Sequence, residues 1–262
     1  MTISRTPWPL EPEASRWELP TLDQIRAIAV PMSVTNQIVR AIDQDNPEED
    51  DPAGQSEHDL VAAGADLAPG TLLHAYRNAL FPMPLDRKQL GWWSPIRRGV
   101  LPLQNLRVTR SLKRSVSRFD VRVNTSFEAV MRACGDSKRN GGWITQDIIA
   151  AYVALHELGW AHSVECWNED NHLVGGLYGI ATNGLFAGES MFHVETDASK
   201  VALLYLVNLL REGDNEQRRL LDVQWRTPHL GSLGVAMVTR DHYCDLLADA
   251  LTLELPPRFL RR

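Results

Sequence analysis

HSVECWNEDNHLVGGLYGIATNGLFAGESMFH, residues 162–193, carries the pattern that decides the fold. Three apolar stretches, 162–168, 172–182 and 185–193, are broken by Glu169-Asp170-Asn171 and by Asn183-Gly184. An Asn-Gly pair suits the left-handed backbone of a tight hairpin turn, so the stretch reads as three consecutive antiparallel strands. Upstream, TQDIIAAYVALHEL (145–158) predicts a helix, with Thr145 as its N-cap and Gly159 closing its end. FEAVMRAC (127–134) has helical spacing, and DVRVN (120–124) alternates as a strand does. Downstream come an apolar helix over 198–212, the strand LLDVQWR (220–226) and a last helix over 239–251. Helices interleaved with a meander and one further strand make an α/β domain on a central mixed sheet.

Further from this centre the reading is sparser. LAPGTLLHAYRNALFP (67–82) predicts a helix opened by Pro69 or Gly70 and ended by Pro82. GWWSPIRRG (91–99) reads as an ordered loop or an edge strand. Residues 1–42 show amphipathic character only around TLDQIRAIAV (21–30). DQDNPEEDDPAGQSEHD (43–59) has no aliphatic residue larger than Ala, so it reads as a flexible acidic linker. The expected division is an N-terminal extension over 1–59, a small N-terminal domain over 60–98 and the main domain over 99–262, with folding starting near Leu60.

Composition bounds the class. The chain has 262 residues, 44% hydrophobic and 23% charged, enough to bury a core and too apolar to be wholly disordered. The apolar run Val201–Leu210 is ten residues long, against about 20 needed to span a bilayer, so no membrane association is expected. Prolines stand where a signal peptide would be apolar. Cys134, Cys166 and Cys244 are far apart and odd in number, which argues against a disulfide framework or a CxxC metal site. A cytoplasmic protein is the expectation. The net charge of −6 is unevenly spread. Residues 1–59 carry four Arg and twelve acids, whereas 96–140 carry eleven Lys or Arg and three acids, most densely in RVTRSLKRSVSRFDVR (107–122). Clustered cations, rather than a high overall pI, are what phosphate binding requires; a solvated helix face would look the same.

Familiar catalytic signatures are absent. His156 and His162 in HELGWAH are six apart, and a zinc-binding HExxH needs four. GGLYG lacks dinucleotide-binding spacing, and Ser190 has no GxSxG elbow. Two features remain: Glu189 among apolar residues in GESMF, and Asp222 with Gln224 in LLDVQW. Strand alternation would put Asp222 and Gln224 on one face. There they either position and polarise an attacking amine or form a satisfied polar pair at a strand end.

An ordered set of motifs resembles the leucyl/phenylalanyl-tRNA–protein transferases. It comprises Ala65-Asp66-Leu67, YRNALFP (76–82), WWSP (92–95), TRSLKR (109–114), GGWIT (141–145), HELGWAHSVECW (156–167), VGGLYGI (174–180), LFAGESMF (185–192), ASK (198–200), LDVQ (221–224) and HLGSLG (229–234). Together they span roughly residues 60–250. The resemblance implies an enzyme that moves Leu or Phe, and less readily Met, from aminoacyl-tRNA to the N-terminal Lys or Arg of acceptor proteins, marking them for degradation. It implies a monomer with a GNAT-like (acyltransferase) domain whose mixed sheet is largely antiparallel, preceded by a small domain. ETDASK (195–200) stands where a CoA-binding relative would carry its Gly-rich pyrophosphate loop. An acyl-CoA-dependent N-acyltransferase of the same fold is the alternative, and a non-catalytic RNA-binding module is a third reading.

The site residues follow from the same resemblance. Because the donor is already an activated ester, no cofactor and no metal are implied. Gln224 would accept a hydrogen bond from the acceptor amine, Asp222 would support the developing charge, and Glu189 would help hold the substrate's amino groups. Leu177, Phe186, Met191 and Leu221 would form the apolar donor pocket, although plain core packing is the commoner use of such residues. Trp143 would stack on the terminal adenine, and Arg110, Lys113 and Arg114 would grip phosphates of the tRNA. The pattern departs at Met83, where many members carry Trp; Trp92 and Trp93 are the neighbouring aromatic residues that offer a substitute face.

Overall fold

The computed structural model describes residues 8–30, 58–86, 89–136, 143–213 and 215–260. In chain order the described elements are α1 (Leu22–Arg26), β1 (Leu60–Ala63), α2 (Pro69–Arg77), β2 (Phe81–Pro84), β3 (Leu90–Trp93), β4 (Arg97–Val100), α3 (Arg110–Ser115), β5 (Asp120–Val123), α4 (Phe127–Cys134) and α5 (Gln146–Leu158), followed by β6 (Ala161–Trp167), β7 (Leu173–Thr182), β8 (Leu185–His193), α6 (Ala198–Leu210), β9 (Leu220–Gln224), α7 (Pro228–Ser232), β10 (Ala236–Thr239) and α8 (Arg240–Ala250).

The meander forms as its sequence dictates. Strands β6, β7 and β8 pair antiparallel, with Asn183 in the left-handed region at the hairpin turn. Helix α5 starts at the Thr145 cap, whose hydroxyl accepts the Ile148 N–H, and ends at Gly159 (φ 92°). That left-handed close needs glycine for a second reason: a Cβ there would lie 2.5 Å from the Trp8 ring. The seven-stranded sheet runs β10-β4-β9-β8-β7-β6-β5. All its pairings are antiparallel except β8 with β9, which the α6 crossover makes parallel. Apolar α6 lies against β6, β7 and β8, and α4 and α5 cover the meander as well. The core sits between these helices and the sheet, around residues such as Tyr152, Tyr178, Ile180, Leu206 and Leu221.

A small three-stranded sheet, β1-β3-β2, precedes this body. Here several local expectations change. The predicted helix over 67–82 ends at Arg77; Ala79 takes φ 62° and Phe81–Pro84 becomes a strand. Pro82 and Pro84 are tolerated because β2 is an edge strand. The Trp pair belongs to β3, the central strand. Trp92 is fully buried and Trp93 is 7% exposed, their indole N–H groups donating to the Gly64 and Met83 carbonyls. Neither can offer a face in place of a Trp at Met83. Strand β4 crosses the expected 98/99 division and pairs within the large sheet.

Residues 8–30 dock on the body instead of preceding it. The Leu10 N–H donates to the Leu158 carbonyl, the Trp160 indole N–H donates to the Leu10 carbonyl, and Glu11 pairs with Arg77. Ile25 of α1 is fully buried behind a Thr21–Gln24 capping box. A backbone hydrogen bond, ion pairs from Glu11, Arg16 and Arg26, and the buried Leu19 and Ile25 hold the segment, contacts that composition does not signal. Of the acidic stretch 43–59, only His58 and Asp59 fall within the described residues, and Asp59 is 2% exposed. No helix among the described residues is long and apolar enough to cross a membrane.

Candidate active site in the split of the sheet

Parallel pairing of β8 and β9 covers only Leu185/Leu220, Phe186/Leu221 and Ala187/Asp222. Beyond that point the strands continue without pairing each other, and a cavity of about 240 Å³ fills the gap. Of the four residues expected in an apolar donor pocket, Leu177, Met191 and Leu221 line this cavity. Phe186 does not: it is fully buried and stacks on Phe259, 5.7 Å away. Leu203 and Leu206 of α6, with Leu230 and Val235 after β9, complete the wall. Those four were not legible as site residues, since apolar helix and loop positions carry no mark of which cavity they face.

Glu189 reaches the cavity through a β-bulge. Tyr178 pairs with Ser190 and Gly179 with Gly188, so Glu189 has no residue opposite it, and the bulge re-aims its side chain. Its carboxylate accepts the Tyr76 hydroxyl at 2.7 Å and the Tyr152 hydroxyl at 3.4 Å, and the Gln224 amide reaches it at 3.4 Å. Burial pushes the Glu189 carboxyl up to about 8; the Tyr76 hydrogen bond opposes this, while the nearby Asp222 charge adds to it. Tyr76 and Tyr152, hydrogen-bonded to one another, are functional candidates that the sequence reading missed. The signal available was thin, because a helical Tyr on a core face is ordinarily a packing residue.

Asp222 and Gln224 do not share a strand face. Leu221, Val223 and Gln224 line the cavity and Asp222 does not. Gln224 takes φ 58°, so strand alternation fails at that residue and turns its side chain toward Glu189. Its N–H donates to Asp222 Oδ1 at 2.9 Å, which ties the turn to the carboxylate behind it. Asp222 itself is fully buried and accepts both ends of the Arg98 guanidinium at 2.9 and 2.6 Å, with the Tyr243 hydroxyl at 3.0 Å. Burial works against the Arg98 charge, but the Asp222 carboxylate outweighs it, so the guanidinium holds its proton more tightly than usual. The ring of Trp225 packs edge-on against Phe81 and Trp93, and its N–H donates to Asp59. The small sheet thereby braces the end of β9.

The remaining sequence candidates lie elsewhere. Trp143 is partly buried against the core and does not line the cavity. Arg110, Lys113 and Arg114 are exposed on α3, whose buried Leu112 and Ser115 face the body. The Ser115 hydroxyl bonds Asp197 ahead of α6, fixing the basic helix to the helix that walls the cavity.

A carboxyl raised to about 8, a carboxamide beside it and an apolar cavity in a split mixed sheet make up a candidate enzyme site in an α/β fold. The comparisons narrow that class. The family model described as "Leucyl/phenylalanyl-tRNA protein transferase" matches residues 100–248, and that of its N-terminal domain matches 65–96. The transferase of that name from Paramagnetospirillum magneticum is 50% identical over 191 residues, covering 71% of this chain and 90% of the relative. Those from Pseudoalteromonas atlantica and Azoarcus sp. are 44% and 46% identical, covering 77% and 76% of this chain and 84% of each relative. The chain belongs to the leucyl/phenylalanyl-tRNA–protein transferase family.

Proposed function

We propose that this chain transfers Leu or Phe, and less readily Met, from aminoacyl-tRNA to the N-terminal Lys or Arg of acceptor proteins, a tag that directs them to degradation. The observation that carries the reading is the meeting of Glu189 and Gln224 at the wall of an apolar cavity. The donor side chain enters the cavity against Leu177, Met191, Leu221 and Leu206. Such a lining rejects polar side chains and separates Leu, Phe and Met weakly, since methylene-scale differences are worth only about 1–3 kcal/mol.

The acceptor α-amine arrives protonated, with an ordinary pKa of about 7.7–8.0. Glu189 is matched to it and takes the proton, while the Gln224 carbonyl orients the freed nitrogen. The amine attacks the ester carbonyl, the C–N bond forms, the C–O bond to the ribose breaks, and the nitrogen's second proton passes to the departing ribose oxygen. Asp222 acts from behind the cavity, holding the β9 end through Gln224 and keeping Arg98 neutralised. The phosphate backbone of the tRNA lies along Arg110, Lys113 and Arg114, and Trp143 stacks on the terminal adenine. The domain is GNAT-like, with the split of β8 and β9 as its acyl-donor gap, and the protein acts as a cytoplasmic monomer without a cofactor. Asp197, an acidic residue ahead of α6 where a CoA pyrophosphate would sit, favours tRNA over acyl-CoA as donor.

The test is a transfer assay with Leu-tRNA or Phe-tRNA and a protein beginning with Arg, without ATP or CoA. Label is expected on that acceptor and not on one beginning with Ala. Transfer from acetyl-CoA, or labelling of both acceptors alike, would overturn the reading.

A further inference from the structure

A second cavity, of about 570 Å³, lies on the other side of α7 from the donor cavity. The two share Val235 in their walls; His229 and Leu230 face the donor cavity, and Gly231 and Ser232 face the second. Two arginines line the second cavity, Arg107 and Arg226, and among the described residues no acidic residue does. Arg226 stands two residues beyond Gln224. Its Nε donates to the Val235 carbonyl at 3.2 Å. Its guanidinium also lies so close to Gly231 that a Cβ there would come within 2.7 Å of it, so only glycine leaves room for this placement. Arg226 is thus a cation held against the Gly231 turn. Arg107 is anchored to the same turn, its backbone N–H donating to the Leu233 carbonyl at 2.9 Å. It lies three residues ahead of Arg110, so the cations of α3 continue into the cavity.

We propose that this cavity takes a backbone phosphate from the single-stranded 3′ end of the donor RNA, held between Arg107 and Arg226. The proposal rests on the aminoacyl-tRNA reading above and extends it to a subsite. The recess shares the Val235 wall with the donor cavity, so a strand leaving an ester held at Gln224 reaches it across α7. Guanidinium groups suit phosphate because their fork of donors matches two oxygens at once. The contact carries no base information, so it would serve every donor tRNA alike.

The experiment compares two minimal donors that lack the tRNA stem: phenylalanyl-adenosine, without a phosphate, and the phenylalanylated trinucleotide cytidine-cytidine-adenosine, which carries backbone phosphates. Arg226→Gln and Arg107→Gln are each expected to raise KM for the trinucleotide by about ten-fold and to leave KM and kcat for the adenosine donor unchanged. The unchanged adenosine reaction shows that the variants are folded. Equal effects on both donors, or none on either, would overturn the subsite. Failure of the unaltered protein to use either donor would overturn the donor reading and the subsite with it.

Discussion

Asp222 closes the paired stretch of the parallel strands β8 and β9, Glu189 lies just beyond it, and their surroundings are opposite. Asp222 has a guanidinium across both oxygens. Glu189 has only neutral partners within hydrogen-bond distance, two tyrosine hydroxyls and an amide. One carboxylate is committed to holding the sheet together, and the other is left with a proton that binds and leaves near neutrality. Separating two carboxyl groups in this way, by environment and not by residue type, is how a site assigns structural and proton-transfer roles.

Breaking the ion pair should have the largest effect. Asp222→Ala leaves Arg98 charged and enclosed, and removal of one partner from a buried pair costs about 3–5 kcal/mol. Urea denaturation should show that loss, with all transfer activity falling alongside. Arg98→Leu should act similarly, and replacing both residues together by apolar ones should recover most of the stability. A single Asp222 variant as stable as the parent would remove the structural half of the comparison.

Glu189→Gln should do the reverse, sparing the fold and stopping the chemistry. Loss of a positioned proton acceptor costs roughly 10²–10⁴-fold in rate. The parent's kcat/KM should pass through a maximum near pH 8, where Glu189 is ionised and the acceptor amine still protonated, whereas the variant, left to the free amine, should rise to a plateau. Affinity for tRNA should not change. A Gln variant that kept the same maximum would place the titrating group elsewhere. Gln224→Ala should retain tRNA affinity too, with transfer falling by about ten-fold or more, as expected for loss of an orienting hydrogen bond.

Stability against pH sharpens the contrast further. The Glu189 carboxyl is raised from 4.5 to about 8 in the fold, so between those values the folded chain holds a proton that the unfolded chain has released. Stability contributed by this group is therefore present below about 4.5 and lost as pH rises toward 8. Glu189→Gln mimics the protonated form. It should match the parent in acid and exceed it above pH 8. Paired melting curves at the two pH values would show it, and a Gln variant less stable than the parent at high pH would contradict the assigned burial effect.

Why one half of this comparison was readable in the chain and the other was not has a physical explanation. The meander, the Thr145 cap, the Gly159 close and the strand bearing Asp222 and Gln224 follow from local periodicity and turn chemistry, which neighbouring residues carry. The Arg98–Asp222 pair joins residues 124 positions apart, and no local pattern marks it. The strand alternation that placed Asp222 beside Gln224 fails at one residue, through a left-handed turn at a non-glycine that the sequence does not announce. The bulge at Glu189 depends on a register slip against β7, a property of two strands together. Residues 8–30 dock through scattered contacts with residues far along the chain, among them Glu11 with Arg77, Arg26 with Asp245 and Leu10 with Trp160, which no local pattern marks. Sequence pattern thus located the strands, and tertiary pairing decided what each polar side chain on them does.

The smallest expected effects come from the tyrosines, and they test whether the Glu189 surroundings act as a unit. Tyr76 donates to the ionised carboxylate, and Tyr152, with one proton to give, shares it between Tyr76 and the carboxylate; both contacts lower the carboxyl's pKa, so removing either should move the rising limb of the pH profile upward. Tyr76 makes the shorter contact, 2.7 Å against 3.4 Å for Tyr152, so Tyr76→Phe should shift the limb more. Shifts of a few tenths to about one pH unit correspond to the usual net worth of such a hydrogen bond. The two hydroxyls also bond each other, so each single change alters the other's orientation. The double variant's shift should then differ from the sum of the two single shifts, as expected for residues sharing one network. Strict additivity would mean that each tyrosine meets Glu189 independently, and a downward shift for Tyr76→Phe would mean that the carboxyl donates to the tyrosine instead.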